Sequence, residues 1–195
     1  MIDAVGQMHS ISVSYSELEG LGKVLSCYLG KYEIRLNPKN SLYIRQINTL
    51  FIRLMGFIRT RHKQQVKLPC EEAHQLIKLL CDSRIEDFNC LELSKFVTHS
   101  QMCKKLFGFS KHLESKPVGW SAGIVYKLKD FLDALSHVNE DGSIILELQE
   151  DLKNCTLKYQ LLNVQRYFGE IIRDARNVIF IGGTMEPVVF SVTLD

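Results

Sequence analysis

The sequence predicts a mainly α chain that carries a small β element and ends in an α/β fragment. Three observations predict this. Long stretches repeat apolar residues at helical spacing, the run from Ser143 to Leu162 alternates instead, and "NVIFIGG" reads as a short buried strand broken by two glycines.

The first helix is expected from Ser16. Ser16-x-x-Glu19 fits a capping box, and Leu18, Leu21, Val24, Leu25, Tyr28, Leu29 and Tyr32 share one face until "NPKN" at 37–40 ends the element. A second helix, from about Leu42 to Arg59, puts Tyr43, Ile47, Leu50, Phe51, Leu54, Met55 and Ile58 on one stripe, as an antiparallel partner would. Residues 59–67, "RTRHKQQVK", read as a basic loop. After Pro69, "EEAHQLIKLLCD" reads as a short helix and "LELSKFVTHSQMCKKLFGF" as a further helical stretch. "ESKPVGWSAG" has the composition of a loop, and Ile124 to Val138 make an amphipathic helix stopped by "NEDG".

Beyond that point the pattern changes. "SIILELQ" and the alternation of Leu157, Tyr159 and Leu161 with Lys158 and Gln160 predict two strands within residues 143–162. "VQRYFGEIIRDA" is helical and feeds "NVIFI". A helix leading into a buried strand with glycines at its carboxyl end is the α/β arrangement, in which ligands sit beyond the strand ends.

With 195 residues, 46% hydrophobic and 24% charged, the chain can bury a core, as one domain or one domain with a partial neighbour. No apolar run approaches the roughly 20 residues of a membrane helix, and "MIDAVGQMHS" lacks a basic n-region and an apolar h-region. The expectation is a soluble, intracellular chain with no membrane partner. Six cysteines without a C-x-x-C pair argue against a zinc ribbon, a redox motif or a disulfide framework.

The net charge of +2 hides an asymmetry. Between Glu33 and Glu71 there is no acid, yet the segment holds Arg35, Lys39, Arg45, Arg53, Arg59, Arg61, Lys63 and Lys67. With the apolar stripe buried, Arg45, Arg53, Arg59, Arg61, Lys63 and Lys67 would lie at the surface as a patch for nucleic-acid phosphates, or as a solvated basic face without a partner. Tyr43 and Phe51 fall on the core stripe and read as packing, not as base-stacking groups.

"EEAHQL" at 71–76 invites comparison with an acidic box that holds magnesium, which requires the tip of a buried strand. The preceding "KQQVKLPC" is polar and broken by Pro69, so the segment reads as a helix N-terminus with acids in its first turn. The Gly-Lys pairs at 22–23 and 30–31 lack the Ser or Thr of a phosphate loop. Cys70 with His74, and His99 with Cys103, have zinc-compatible spacing, but nothing else supports a metal site and none is expected. In "IGGTM", Gly182 and Gly183 allow close approach of backbone or ligand, and Thr184 adds a hydroxyl.

"DARNVIFIGGTMEPV" resembles the third helicase motif of the XPD-like iron-sulfur superfamily 2 DNA helicases, in particular their chromosome-loss branch, implicated in sister-chromatid cohesion. "MIDAVGQMHS" is similar to the segment after that family's DEAH box, "KYEIRLNPKNSLYIRQI" to its "RY-x-x-RL" helix region, and "KLFGF", "NEDGSIIL" and "TLKYQLLN" follow in order. The resemblance implies that residues 1–15 are a remnant of the first RecA-like domain, 16–162 a helical Arch-like insertion, and 163–195 the helix and strand that carry the third motif. Gly182, Gly183 and Thr184 would then form the loop coupling ATP hydrolysis to DNA movement. It further implies a nuclear ATP-dependent DNA helicase using ATP, Mg2+ and a [4Fe-4S] cluster, with single-stranded or forked DNA and replication or cohesion proteins as partners.

The Walker lysine, the cluster cysteines, the DEAH box and the second RecA-like domain have no counterpart in this sequence, and "VVFSVTLD" departs from the family after Pro187. The chain is therefore expected to be a fragment that binds none of those cofactors and hydrolyses no ATP alone. A non-enzymatic helical module that binds nucleic acid or protein is the alternative.

Overall fold

The computed structural model describes residues 10–113, 115–136 and 142–161. Strand β1 (Ile11–Ser14) runs directly into helix α1 (Tyr15–Tyr32), and the capping box at that junction lies two residues before the expected one. The Ser14 hydroxyl accepts from the Glu17 amide at 3.2 Å, and the Glu17 carboxylate accepts from the Ser14 amide at 2.8 Å. Ser14-x-x-Glu17 and Ser16-x-x-Glu19 fit the same pattern. The strand decides between them, because Ser14 is paired with Thr156 and is the last extended residue.

Helix α2 (Pro38–Gln64) is longer at both ends than its apolar stripe indicated. "NPKN" begins this helix as well as following α1: Asn37 caps it by accepting from the Lys39 amide at 2.9 Å, with Pro38 at the first helical position. The segment expected as a basic loop is mostly the last turns of α2, since no Gly or Pro interrupts it before Pro69. Bonds from Arg59 to Tyr15, Asn48 to Ser26 and Arg45 to Glu33 tie α2 antiparallel to α1 along its length.

"CEEAHQ" is not a helix start. It is strand β2 (Cys70–Gln75), followed by the short helix α3 (Leu76–Asp82). The next helical stretch divides into α4 (Cys90–His99) and α5 (Met102–Ser110), where Gln101 turns to φ +52°. Helix α6 (Ala122–Ser136) and strands β3 (Gly142–Leu148) and β4 (Thr156–Leu161) match the expected amphipathic helix and two strands.

The four strands form one antiparallel sheet in the order β1-β4-β3-β2. One face of it is buried. A row runs Ile11, Tyr159, Ile144, His74 across the strands, and the next runs Val13, Leu157, Leu146, Glu72. The helices supply the rest of the core, with Leu18, Leu25, Phe51, Leu54, Leu106 and Phe131 almost fully buried. Each such side chain contributes about 1.5–3 kcal/mol by leaving water.

The loop before α6 is pressed against α1. Gly119, at φ +83°, would place a Cβ 2.0 Å from the Ser16 carbonyl oxygen, and a Cβ on Gly20 would lie 2.9 Å from the Val118 oxygen. Both positions require a residue with no side chain.

Candidate nucleic-acid interface

The basic residues singled out in the sequence lie on or just beyond α2, but their surroundings divide them. Arg45 forms an exposed ion pair with Glu33, at the turn between α1 and α2. Arg61 lies 3.4 Å from Glu72 on β2, with its guanidinium 5.7 Å from the Phe57 ring centre. These two face carboxylates and offer the least free charge to a ligand.

Arg53 and Arg59 are held by neutral acceptors. Arg53 donates to the Arg84 carbonyl and lies over the Phe88 ring at 5.1 Å. Arg59 donates to the Tyr15 hydroxyl at 2.6 Å and lies 5.9 Å from that ring's centre. A hydroxyl or carbonyl orients a guanidinium without cancelling its charge, so both exposed arginines keep a full positive charge in a restrained geometry. Lys63 and Lys67 are exposed, with no ion-pair partner among the described residues. Of the six residues named for the phosphate patch, Arg53, Arg59, Lys63 and Lys67 are thus the ones with no carboxylate partner among the described residues. Tyr43 and Phe51 pack inward as expected: Phe51 is 1% exposed, and Tyr43 meets the Phe96 ring at 5.0 Å.

Beside this face lies a polar cluster that sequence reasoning missed. His74, only 6% exposed, bonds to Glu72 at 2.9 Å and meets the Phe57 ring edge-on at 5.6 Å. Gln65 donates to the same carboxylate, and the buried Ser143 hydroxyl donates to the His74 carbonyl at 3.3 Å. Glu72 therefore gathers the end of α2 onto the sheet edge. Its strand is an antiparallel edge with the carboxylate already engaged by Arg61, Gln65 and His74, which is unlike the tip of a parallel strand facing phosphates.

The six thiols do not converge. Cys27 and Cys81 are exposed, Cys90 and Cys155 buried, and Cys70 and Cys103 between these limits. Burial pushes Cys90 up to about 11 and also raises Cys103 and Cys155, the opposite of the thiolate character a metal ligand needs. Among the described residues no group of three His, Cys, Asp or Glu comes together, so the residues in place fit neither an iron-sulfur cluster nor zinc. No helix among them is long and apolar enough to cross a membrane. Gly182, Gly183 and Thr184 lie outside the described residues.

No protein-family profile matches the sequence. Individual relatives do. The human ATP-dependent DNA helicase DDX11 is 28% identical over 96% of this chain and 24% of its own length. The ATP-dependent DNA helicase CHL1 of Candida glabrata is 31% identical over 96% of this chain and 22% of its own, and chl1 of Neosartorya fischeri is 29% identical over the same shares. These homologues are DDX11/CHL1 ATP-dependent DNA helicases, to which nearly all of this chain is similar. They are the chromosome-loss branch which its motifs resemble, and the chain spans about a quarter of the length of these DDX11/CHL1 relatives.

Proposed function

We propose that this chain is the helical insertion segment of an ATP-dependent DNA helicase, and that its part in the reaction is to hold single-stranded or forked DNA while the complete protein translocates. The observation that carries the reading is collinear similarity over 96% of the chain to proteins named ATP-dependent DNA helicases. In the complete protein, ATP with Mg2+ would supply the work of translocation, and a [4Fe-4S] cluster belongs to the family resemblance. Among the described residues no group of three His, Cys, Asp or Glu comes together to hold the metal or the cluster. The proposed arrangement puts residues 1–15 and 163–195 with the first RecA-like domain, and Gly182, Gly183 and Thr184 in its coupling loop. A nuclear location, with replication or cohesion proteins as partners, follows the same resemblance.

What this chain contributes is electrostatic. Arg53, Arg59, Lys63 and Lys67 would bind successive phosphates, displacing counterions, so affinity should fall steeply with salt and depend little on sequence. Arg45 and Arg61 contribute less, because Glu33 and Glu72 already neutralise them.

The test is a salt titration of the purified chain on a labelled single-stranded oligonucleotide. The triple variant Arg53→Gln, Arg59→Gln, Lys63→Gln is expected to weaken binding and lower the slope of log affinity against log salt by about 2. An unchanged slope and affinity would remove the phosphate role of α2. The isolated chain is also expected to show no ATPase activity. Turnover that Thr184→Ala abolishes would overturn that expectation.

A further inference from the structure

A second acid-free stretch lies outside the segment considered so far. Between Glu92 and Glu114 there is no acid, while Lys95, Lys104, Lys105 and Lys111 are all exposed, as are the His99 and His112 rings. Helix α5 lies within it. Residues three and four apart share a helix face, so Lys104, Phe107 and Lys111, with Lys111 just past the last helical residue, form one outward stripe.

Phe107 is the unexplained member. Its neighbour two positions on, Phe109, is buried and meets Tyr28 and Tyr32 edge-on at 5.4 and 5.8 Å. Phe107 is half-buried and belongs neither to the core nor to the partly buried side chains packed on it. Among the described residues its ring contact is a cation: the Lys111 ammonium lies 4.6 Å from the ring centre. A half-exposed ring between two lysines on an acid-free surface combines a face for a flat group with charge for a phosphate.

We infer that the Lys104–Phe107–Lys111 stripe is a stacking site for one base of single-stranded nucleic acid, with the two lysines on the flanking phosphates. The inference deepens the DNA-binding reading but rests on a different helix from the α2 phosphate face. It favours single strands over duplex, because only an unpaired base can present its face to a ring.

The experiment measures the 195-residue chain against three probes: single-stranded DNA, the same length of abasic oligonucleotide, and polyglutamate. Phe107→Ala is expected to weaken single-stranded DNA binding about tenfold, leave the salt slope unchanged, and leave the abasic probe unaffected. Lys104→Gln with Lys111→Gln is expected to lower the slope by about 1.4 for both oligonucleotides. Phe107→Tyr should restore affinity, and thermal melts of each variant check that the fold is kept. Unchanged DNA affinity in Phe107→Ala overturns the inference, as does equal loss on the abasic probe. Polyglutamate bound as tightly as DNA, and weakened equally by Phe107→Ala, would make the stripe a protein-docking surface and also overturn it. If the α2 triple variant binds normally while Phe107→Ala does not, the α2 reading fails and this one stands.

Discussion

Arg59 donates from Nη2 to the Tyr15 hydroxyl at 2.6 Å, tying the C-terminal half of α2 to the first residue of α1. Tyr15 is 7% exposed, so its ring is core and its hydroxyl is the polar tip that reaches the basic face. Tyr15→Phe keeps the ring and removes only the acceptor. The expected loss in urea unfolding is about 1 kcal/mol. Affinity for single-stranded DNA should change by less than about threefold, because the charge of Arg59 stays where it is.

The two glycines at the α1 contact and the glycine on the open side of α2 should respond with opposite signs. Gly119→Ala combines a φ of +83° with a backbone oxygen 2.0 Å from the new Cβ, so it is expected to cost more than about 2 kcal/mol. Gly56 lies within α2 with nothing within 4 Å of an added Cβ. Gly56→Ala should stabilise the chain by about 0.5–1 kcal/mol. Chemical denaturation of both variants measures the contrast.

Glu72→Ala removes the carboxylate shared by Arg61, Gln65 and the nearly buried His74. A polar group left buried without its partner costs more than the bond was worth, so a loss of about 2–4 kcal/mol is expected. Glu72→Gln, which keeps an acceptor, should lose less. Hydrogen exchange should locate the loosening at β2 and the last turn of α2.

The thiols should separate by reaction rate and by pH. Cys27 and Cys81 are exposed and should react first with a thiol reagent, ahead of Cys90, Cys103 and Cys155. Burial raises Cys90 from 9.0 to about 11. A raised pKa in the folded state means its contribution is intact below about pH 9 and is lost as pH rises towards 11. Cys90→Ala should therefore flatten the alkaline part of the stability curve between those limits.

The helices were legible because their evidence is local: Leu18 to Leu29 and Ile47 to Ile58 repeat at helical spacing whatever surrounds them. β2 was not, because "EEAHQ" has the polarity of a helix start and becomes a strand through Ile144, Ile145 and Leu146, far along the chain. The late end of α2 was hidden by basic composition, which looks like a loop when read without its partner, Glu72. The same reason limited the site. A run of uncancelled charge is visible in sequence, but the acids at Glu33 and Glu72 that engage Arg45 and Arg61 are set by the fold. The stripe at Lys104, Phe107 and Lys111 carried the same acid-free signal as α2, yet Phe107 could be told from Phe109 only by its place outside the core.

Ile11, near the start of the described chain, lies opposite Tyr159, near its end, on neighbouring antiparallel strands. The strands that open and close the described body therefore lie side by side. A short link could join them directly, and the chain could be opened elsewhere without separating any paired strands. Circular permutation at an exposed loop should leave the sheet and helices intact, and a host protein could carry this body at the cost of closing one narrow gap.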